Sequence, residues 1–241
     1  MSPKAVDNTA LKCTVGILLP TYCEASNLEK IVEHIESLPL KSEILIVDDS
    51  SPDGTSDVVR CLQKKYSNIT LIVRNKKSGL GTAITLGFRF FLSMRVAPEF
   101  IVTMDADNSH DPKDLPRLIS NTVIGHDLVI GSRYCSGGGT IGWSYLRKVI
   151  SRSANTLARV KMGLKPVDCT SGFRCYSSKF LSQTIGCFHS HTYEIQIETI
   201  KQAQMQGFSV KEIPIIFKNR KNGKSKLTIN EIKSFFSYVF R

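Results

Sequence analysis

The feature that most restricts the fold is a repeated alternation between Thr14 and Gly131 of short apolar runs and apolar stripes at helical spacing. Thr14–Pro20 (TVGILLP), Glu43–Asp49 (EILIVDD), Ile69–Arg74, Phe100–Met104 (FIVTM) and Asp127–Gly131 (DLVIG) each read as a buried strand, rich in β-branched and apolar residues. Between them Leu28, Ile31, Val32, Ile35 and Leu38 recur at helical spacing behind Ser26 and Glu29, which fit a capping box. Val58, Val59, Leu62 and Tyr66 mark a second helix, and Ile84, Phe88, Phe91 and Leu92 within Gly81–Met94 a third. Asp111-Pro112 starts a fourth, with Leu115, Leu118 and Ile119 turned inward. This order predicts an α/β fold, a mostly parallel central sheet flanked by helices on both faces. Ligands of such sheets sit beyond the carboxyl ends of the strands, and there lie Tyr22–Glu24, Asp48-Asp49 and Asp105–Asp107.

The second half is less regular. Ser136–Gly142 (SGGGTIG) reads as a mobile glycine loop beside the site. Leu146, Val149, Ile150, Leu157 and Val160 define a long helix that also carries Arg147, Lys148 and Arg152. Ser171–Tyr176 (SGFRCY) reads as a strand, Ile197 and Ile200 belong to a helix, and Ile213, Ile215 and Phe217 alternate as in a strand. Lys218–Lys226 (KNRKNGKSK) is a basic loop. Asn230–Arg241 closes the chain as an amphipathic helix with Ile232, Phe235, Phe236, Val239 and Phe240 on one side. With no repeat and no low-complexity linker, the expected division is a tail (1–13), one catalytic domain (14–229) and a C-terminal helix (230–241) that faces a membrane or a partner.

Phe100–Asp111 (FIVTMDADNSHD) carries the chemistry. Asp105 and Asp107 follow a buried strand with one residue between them, so in extended chain both carboxylates face one side and can share an ion. Mg²⁺ and Mn²⁺ take such oxygens and share them with substrate phosphates. A plain alternative is that Asp107 caps the next helix and Asp105 merely ends the strand. Lys and Arg number 32 against 21 Asp and Glu, a net charge of +11 that favours an anionic partner. The 7 cysteines form no CxxC pair and read as reduced, mostly buried thiols. Met1–Lys12 lacks the apolar core of a signal peptide, and no run approaches the roughly 18 apolar residues of a membrane span. The expectation is a soluble or membrane-surface protein.

Other motifs fail on inspection. Gly79-Leu80-Gly81 begins like a dinucleotide fingerprint, but Ile84 stands at the third glycine and no Walker lysine follows. Asp49–Gly54 begins like a calcium loop, yet Arg60 stands where glutamate closes one. His189 and His191 form an HxH pair that reads as ordinary loop histidines, and no GxSxG elbow occurs.

Taken together, PTYCEASNL, VDDSSPDGT, GLGTA, MDADNSHDP, GSRY, RKVISRSAN, DCTSGFRCY and NRKNGKSKL are specific. From about Thr14 onward the chain resembles the inverting GT-A glycosyltransferases, and within them the dolichol-phosphate mannose synthases. The resemblance implies transfer of mannose from GDP-mannose to dolichyl phosphate with inversion. It implies that Pro20, Tyr22, Glu24, Val47 and Asp49 hold the guanosine, that Ala106 also contacts the nucleotide sugar, and that Asp105 and Asp107 place Mg²⁺ or Mn²⁺ on the diphosphate. Arg133, Arg147, Ser151, Arg220 and Lys226 would grip the diphosphate and the acceptor phosphate. Cys23 stands where the family usually has Asn, and Ser109 replaces a glutamine that helps hold the metal in some relatives. Ser109 can still offer a hydroxyl or a metal-bound water. The implied setting is a membrane surface, the cytosolic face of the endoplasmic reticulum in a eukaryote, with small anchoring subunits as candidate partners. UDP-glucose with the same lipid would fit the same motifs. A non-catalytic phosphate- or nucleic-acid-binding module is the alternative from another class. It leaves Asp105 and Asp107 unexplained and lacks aromatics interleaved with cations on one face, so no nucleic-acid partner is expected.

Overall fold

The structure, a computed structural model, describes residues 14–219 and 229–240. Its elements run β1 (Thr14–Thr21), α1 (Ala25–Glu36), β2 (Lys41–Asp48), α2 (Thr55–Lys65), β3 (Ile69–Val73), α3 (Leu80–Ser93), β4 (Phe100–Thr103), α4 (Leu115–Val123) and β5 (Leu128–Ser132). They continue β6 (Gly139–Ile141), α5 (Tyr145–Met162), β7 (Arg174–Ser177), α6 (Ser178–Thr184), α7 (Ile195–Met205), β8 (Val210–Pro214), β9 (Ile216–Lys218) and α8 (Ile229–Val239).

Among the described residues one large sheet has the order β3-β2-β1-β4-β7-β5-β8. All its pairings are parallel except those of β7, which lies antiparallel to both β4 and β5. The twofold alternation of strand side chains divides the core between two faces. Val15, Ile17 and Leu19 of β1 pack with Leu28, Ile31, Val32 and Ile35 of α1 and with Leu115, Leu118 and Ile119 of α4. Leu18, between them, faces the other way, toward Ile84, Phe88 and Phe91 of α3 and Ile197 and Ile200 of α7. Helices therefore cover both faces, as the alternation predicts.

Four local expectations change. α1 begins at Ala25 without a side-chain cap of its own, so Ser26 and Glu29 form no capping box. Its first N–H groups are satisfied from the next turn instead, Glu24 N donating to Thr55 Oγ1 (3.0 Å) and Ala25 N to Asp53 Oδ2 (3.1 Å). The glycine segment is not an open loop: β6 pairs in parallel with β9 in a small second sheet. The Ile213–Phe217 alternation is two strands, because Pro214 has no N–H to continue a ladder. The chain crosses there from β8 to β9, with Ile215 N bonded to Ser132 O and Ile215 O accepting from Gly139 N, each at 3.0 Å. The strand expected from Ser171 starts at Arg174.

α8 lies beside α5. Val239 is buried, and Phe235 and Tyr238 pack against the core, whereas Phe236 and Phe240 are exposed. The four described residues of the five predicted to share one side are thus split between core and surface. Ile232 and Arg241 lie outside the side chains described, as do Arg220 and Lys226 of the basic loop.

Candidate active site

The site forms where β1 separates β2 from β4, so the loops after β1 and β4 diverge and leave a cleft at the carboxyl edge of the sheet. Pro20, Tyr22, Glu24, Asp49, Lys77, Asp105, Ala106, Asp107 and Tyr193 are among its lining residues.

One wall comes from the loops after β1 and β2. Of the two adjacent aspartates, Asp48 is fully buried and accepts from Thr21 Oγ1 (3.0 Å), Ser51 N (3.0 Å), Ser51 Oγ (2.5 Å) and Ser56 Oγ (3.1 Å). It is the knot of the turn. Asp49 lines the cleft, gripped by the Arg74 guanidinium and by Ser78 N at 3.2 Å. Arg74 also binds Thr82 Oγ1 (2.6 Å) and Gly79 O (3.0 Å), tying this wall to the start of α3. Val47, expected to touch the nucleotide, has its side chain in the core; only its carbonyl reaches the strand end, accepting from Thr21 Oγ1 at 3.4 Å. Lys77 lies 4.3 Å from the centre of the Tyr22 ring, a cation over an aromatic face at the cleft rim.

The floor is the turn after β4. Asp107 is buried and its Oδ1 accepts from Ser109 N at 3.0 Å; the Asp105 side chain is 41% exposed. Asn108 takes a left-handed φ of 59°, tolerable for asparagine, and its Nδ2 donates to Asn27 Oδ1 (3.1 Å), while Asn27 Nδ2 donates to Glu24 Oε2 (2.7 Å). The two walls are thereby braced against each other. Asp105 N donates to His110 Nδ1 at 3.3 Å, and His110 lies stacked on Phe173 and edge-on to Phe217. Burial pushes the His110 pKa down against the charges of Asp105 and Asp107, so a neutral ring supports the turn.

Beside this floor stands Arg133, at the end of β5. Its Nε and Nη2 make a fork on the buried Asp168 at 2.8 and 2.6 Å, its backbone N adds a third bond at 2.9 Å, and Nη2 also meets Thr170 Oγ1 at 2.7 Å. Tyr134, Trp143 and Phe217 surround the guanidinium at 5.3–5.7 Å. Ser151 Oγ accepts from Tyr134 OH at 2.7 Å, and Arg147 stacks 4.1 Å from the Trp143 ring while bonding Asn219. Arg133, Arg147 and Ser151 therefore converge on one aromatic cluster, outside the cleft wall that carries Tyr22 and Asp49.

No group of three His, Cys, Asp or Glu side chains able to hold a metal exists among the described residues. The donor set still fits Mg²⁺ or Mn²⁺, which such sites bind through one or two carboxylates plus substrate phosphates. Ser109 Oγ, buried and without a protein partner, lies in the same turn.

Several site residues were not expected. Asp168 sits inside the quoted DCTSGFRCY segment, but nothing in a lone aspartate shows that it clamps an arginine 35 residues earlier. Tyr193 reaches the cleft because Gly81 N bonds His191 O at 3.0 Å, and a Cβ on Gly81 would stand 2.4 Å from Ser190 O. The GLG glycines thus admit the 190–193 loop against α3; Lys77, just before them, also lines the cleft, and no local pattern in the sequence marks it.

This architecture is that of the GT-A glycosyltransferases. The chain superposes on glucosyl-3-phosphoglycerate synthase from Mycobacterium tuberculosis, solved with Mn²⁺, UDP and phosphoglyceric acid, with TM-score 0.69 at 16% identity over 98% of this chain and 78% of that one. A mannosyltransferase from Pyrobaculum calidifontis, solved with GDP-Man and Mn²⁺, gives TM-score 0.61 at 16% identity over 88% and 58%. The chain belongs to glycosyl transferase family 2, whose model matches residues 16–184. It is 37% identical to polyprenol monophosphomannose synthase of Mycolicibacterium smegmatis over 90% of this chain and 82% of that protein. It is 35% identical to undecaprenyl-phosphate mannosyltransferase of Micrococcus luteus over 88% and 86%.

Proposed function

We propose that this protein transfers mannose from GDP-mannose to the phosphate of a polyprenol, dolichyl phosphate in a eukaryotic setting, with inversion and with Mg²⁺ or Mn²⁺. The observation that carries this reading is the cleft itself. Asp105 and Asp107 lie at its floor, Tyr22, Glu24, Asp49 and Lys77 lie on its walls, and the Arg133–Arg147–Ser151 cluster stands nearby. Both curated relatives carry names of mannose transfer to a polyprenyl phosphate.

In this reading Pro20, Tyr22, Glu24, Val47 and Asp49 receive the guanosine, Val47 through its backbone. Asp105, Asp107 and the Ser109 hydroxyl would hold the cation, whose charge would offset that gathering on the departing diphosphate. Lys77 contributes a further positive charge at the rim. The acceptor phosphate, with its second pKa near 6, is ionised at neutral pH and attacks without a strong general base. Arg133, fixed by Asp168, orients it together with Arg147 and Ser151, so positioning and charge neutralisation supply the rate. Arg220 and Lys226 of the basic loop are assigned to the same phosphates.

Membrane association has its own support. No helix among the described residues is long and apolar enough to cross a bilayer. α5 nevertheless exposes Tyr145 (83%), Leu146 (67%) and Ile150 (58%) beside Arg147 and Lys148, next to the acceptor cluster. An apolar face flanked by cations suits an interface of anionic lipid. Phe236 and Phe240 of α8 are assigned to the same surface.

The test is a panel of GDP- and UDP-sugars with a polyprenyl phosphate in vesicles, the lipid product identified by mass. A mannosyl phospholipid formed from GDP-mannose alone is the expected result. Preference for UDP-glucose would move the assignment to a glucosyltransferase, and inertness toward every donor would remove it.

A further inference from the structure

The residue that the site's chemistry leaves unexplained is Gln196, in the first turn of α7. Its side chain is 2% exposed, and its Oε1 is buried without a hydrogen-bond partner. Buried amides are rarely left so, because an unmet polar group costs stability. The amide's other atom, Nε2, lies toward the floor of the cleft. Gly172 packs between Gln196 and the floor of the cleft: a Cβ built there would stand 3.2 Å from Asp105 Oδ1 and 3.6 Å from Gln196 Nε2. The amide nitrogen and the carboxylate oxygen therefore flank the same space, and the bareness of Gly172 keeps that space open.

The backbone around it is held firmly. Gln196 O accepts from Nη1 of Arg174 at 2.5 Å, and the same guanidinium binds Thr199 Oγ1 (2.8 Å), Ser171 O (2.7 Å) and Cys169 O (2.9 Å). Arg174 is fully buried, so it fixes α7 to the 169–172 segment, and thus Gln196 to Gly172. A buried guanidinium that fixes this residue, with its Nε2 and Asp105 Oδ1 bordering the same gap, points to a use for the amide nitrogen.

We infer that Gln196 is a positioning residue for Asp105: across the gap at Gly172 its Nε2–H donates to the Asp105 carboxylate when that carboxylate holds the divalent ion. This rests on the assignment of Asp105 as a metal ligand. The physical logic is that of carboxylates oriented by hydrogen bonds from behind the metal, whose loss weakens metal binding by roughly 10- to 100-fold.

Mn²⁺ binding to the full chain in the presence of GDP, followed by electron paramagnetic resonance or calorimetry without turnover, reads this directly. Gln196→Met keeps the volume and removes the unmet polar atom, so a merely structural glutamine would make it neutral or stabilising. The expected result is Mn²⁺ affinity reduced by about 10-fold or more with an unchanged or raised thermal midpoint. Gly172→Ala, which fills the gap, should weaken Mn²⁺ in the same sense. Gln196→Met within twofold of the parent, while Asp105→Asn loses Mn²⁺, would overturn the role of Gln196 and leave the metal assignment standing. If Asp105→Asn also binds Mn²⁺ normally, the metal assignment itself is wrong and this role goes with it. A fall in thermal midpoint without change in Mn²⁺ affinity would make Gln196 a packing residue only.

Discussion

Cys23 and Asp107 occupy the tight turns at the ends of β1 and β4, and each shows what a single position demands. Cys23 has φ of 56°, in the left-handed region where asparagine is favoured and most side chains cost about 1–2 kcal/mol. That accounts physically for asparagine being usual there. Cys23→Asn should stabilise the protein by about 1 kcal/mol in denaturant unfolding; an unchanged midpoint would mean that the loop relaxes around the cysteine. Asp107→Ala should reduce transfer at least about 100-fold, because it removes both the carboxylate proposed to hold the cation and the acceptor that shapes the Ser109 turn. A near-normal rate at ordinary Mg²⁺ or Mn²⁺ would remove the metal assignment. Asp168 makes a pH prediction. Burial would raise its pKa, but the charge and hydrogen bonds of Arg133 outweigh this and hold it below the ordinary value. Its contribution is therefore complete above an unfolded pKa of about 3.9 and is lost as pH falls through the folded value. Asp168→Asn should flatten the acid limb of the stability curve and cost about 3 kcal/mol near neutrality, since it strands the buried Arg133. An unaltered acid limb in unfolding measured from neutral pH down to about pH 2 would contradict this. Asp105, Asp107 and Asp49 were legible as cleft residues because they follow buried strands of a mostly parallel sheet, whose carboxyl ends border the cleft. The clamp of Asp168 on Arg133 was not, because the two are 35 residues apart and a buried polar residue leaves no local pattern.

At the scale of elements, periodicity carried the reading as far as it was strong. α1, α3 and α4 bury one face against the sheet, so their apolar stripes place them to within a few residues. β6 and β9 have three residues each and exist only through their mutual pairing, which no local preference encodes. α5 presents the opposite case. Its apolar residues recur correctly, yet Asn155 and Ala158 are its buried positions while Tyr145, Leu146 and Ile150 remain exposed. The stripe thus marks a second surface rather than a core face. Leu146→Asp combined with Ile150→Asp should leave folding intact, because both side chains already face solvent. The same pair should reduce sedimentation with anionic vesicles severalfold, since each large apolar group buried is worth about 1.5–3 kcal/mol. Transfer to a short, detergent-dispersed acceptor should survive better than transfer to the long lipid. Unchanged vesicle binding would assign the face elsewhere.

At the scale of the whole molecule, the position of β7 governs the order in which the protein can be made. β4 and β5 do not pair with each other; the antiparallel strand between them is drawn from Arg174–Ser177, later in the chain than either. While a ribosome has delivered only the residues up to about Lys165, both strands present unsatisfied edges toward an empty slot, and such edges invite wrong partners. Arg174, which sits on β7 and binds the segment before it and α7 after it, reaches its acceptors only once that slot is filled. Stalled nascent chains ending at Lys165 should therefore be open to protease, and those extended past Lys218 protected, with little gradation between. The last strand to arrive in the centre of the sheet also carries the guanidinium that sets the loops of the cleft. Completion of the sheet and assembly of the catalytic pocket are, on this topology, a single event in the life of each new chain.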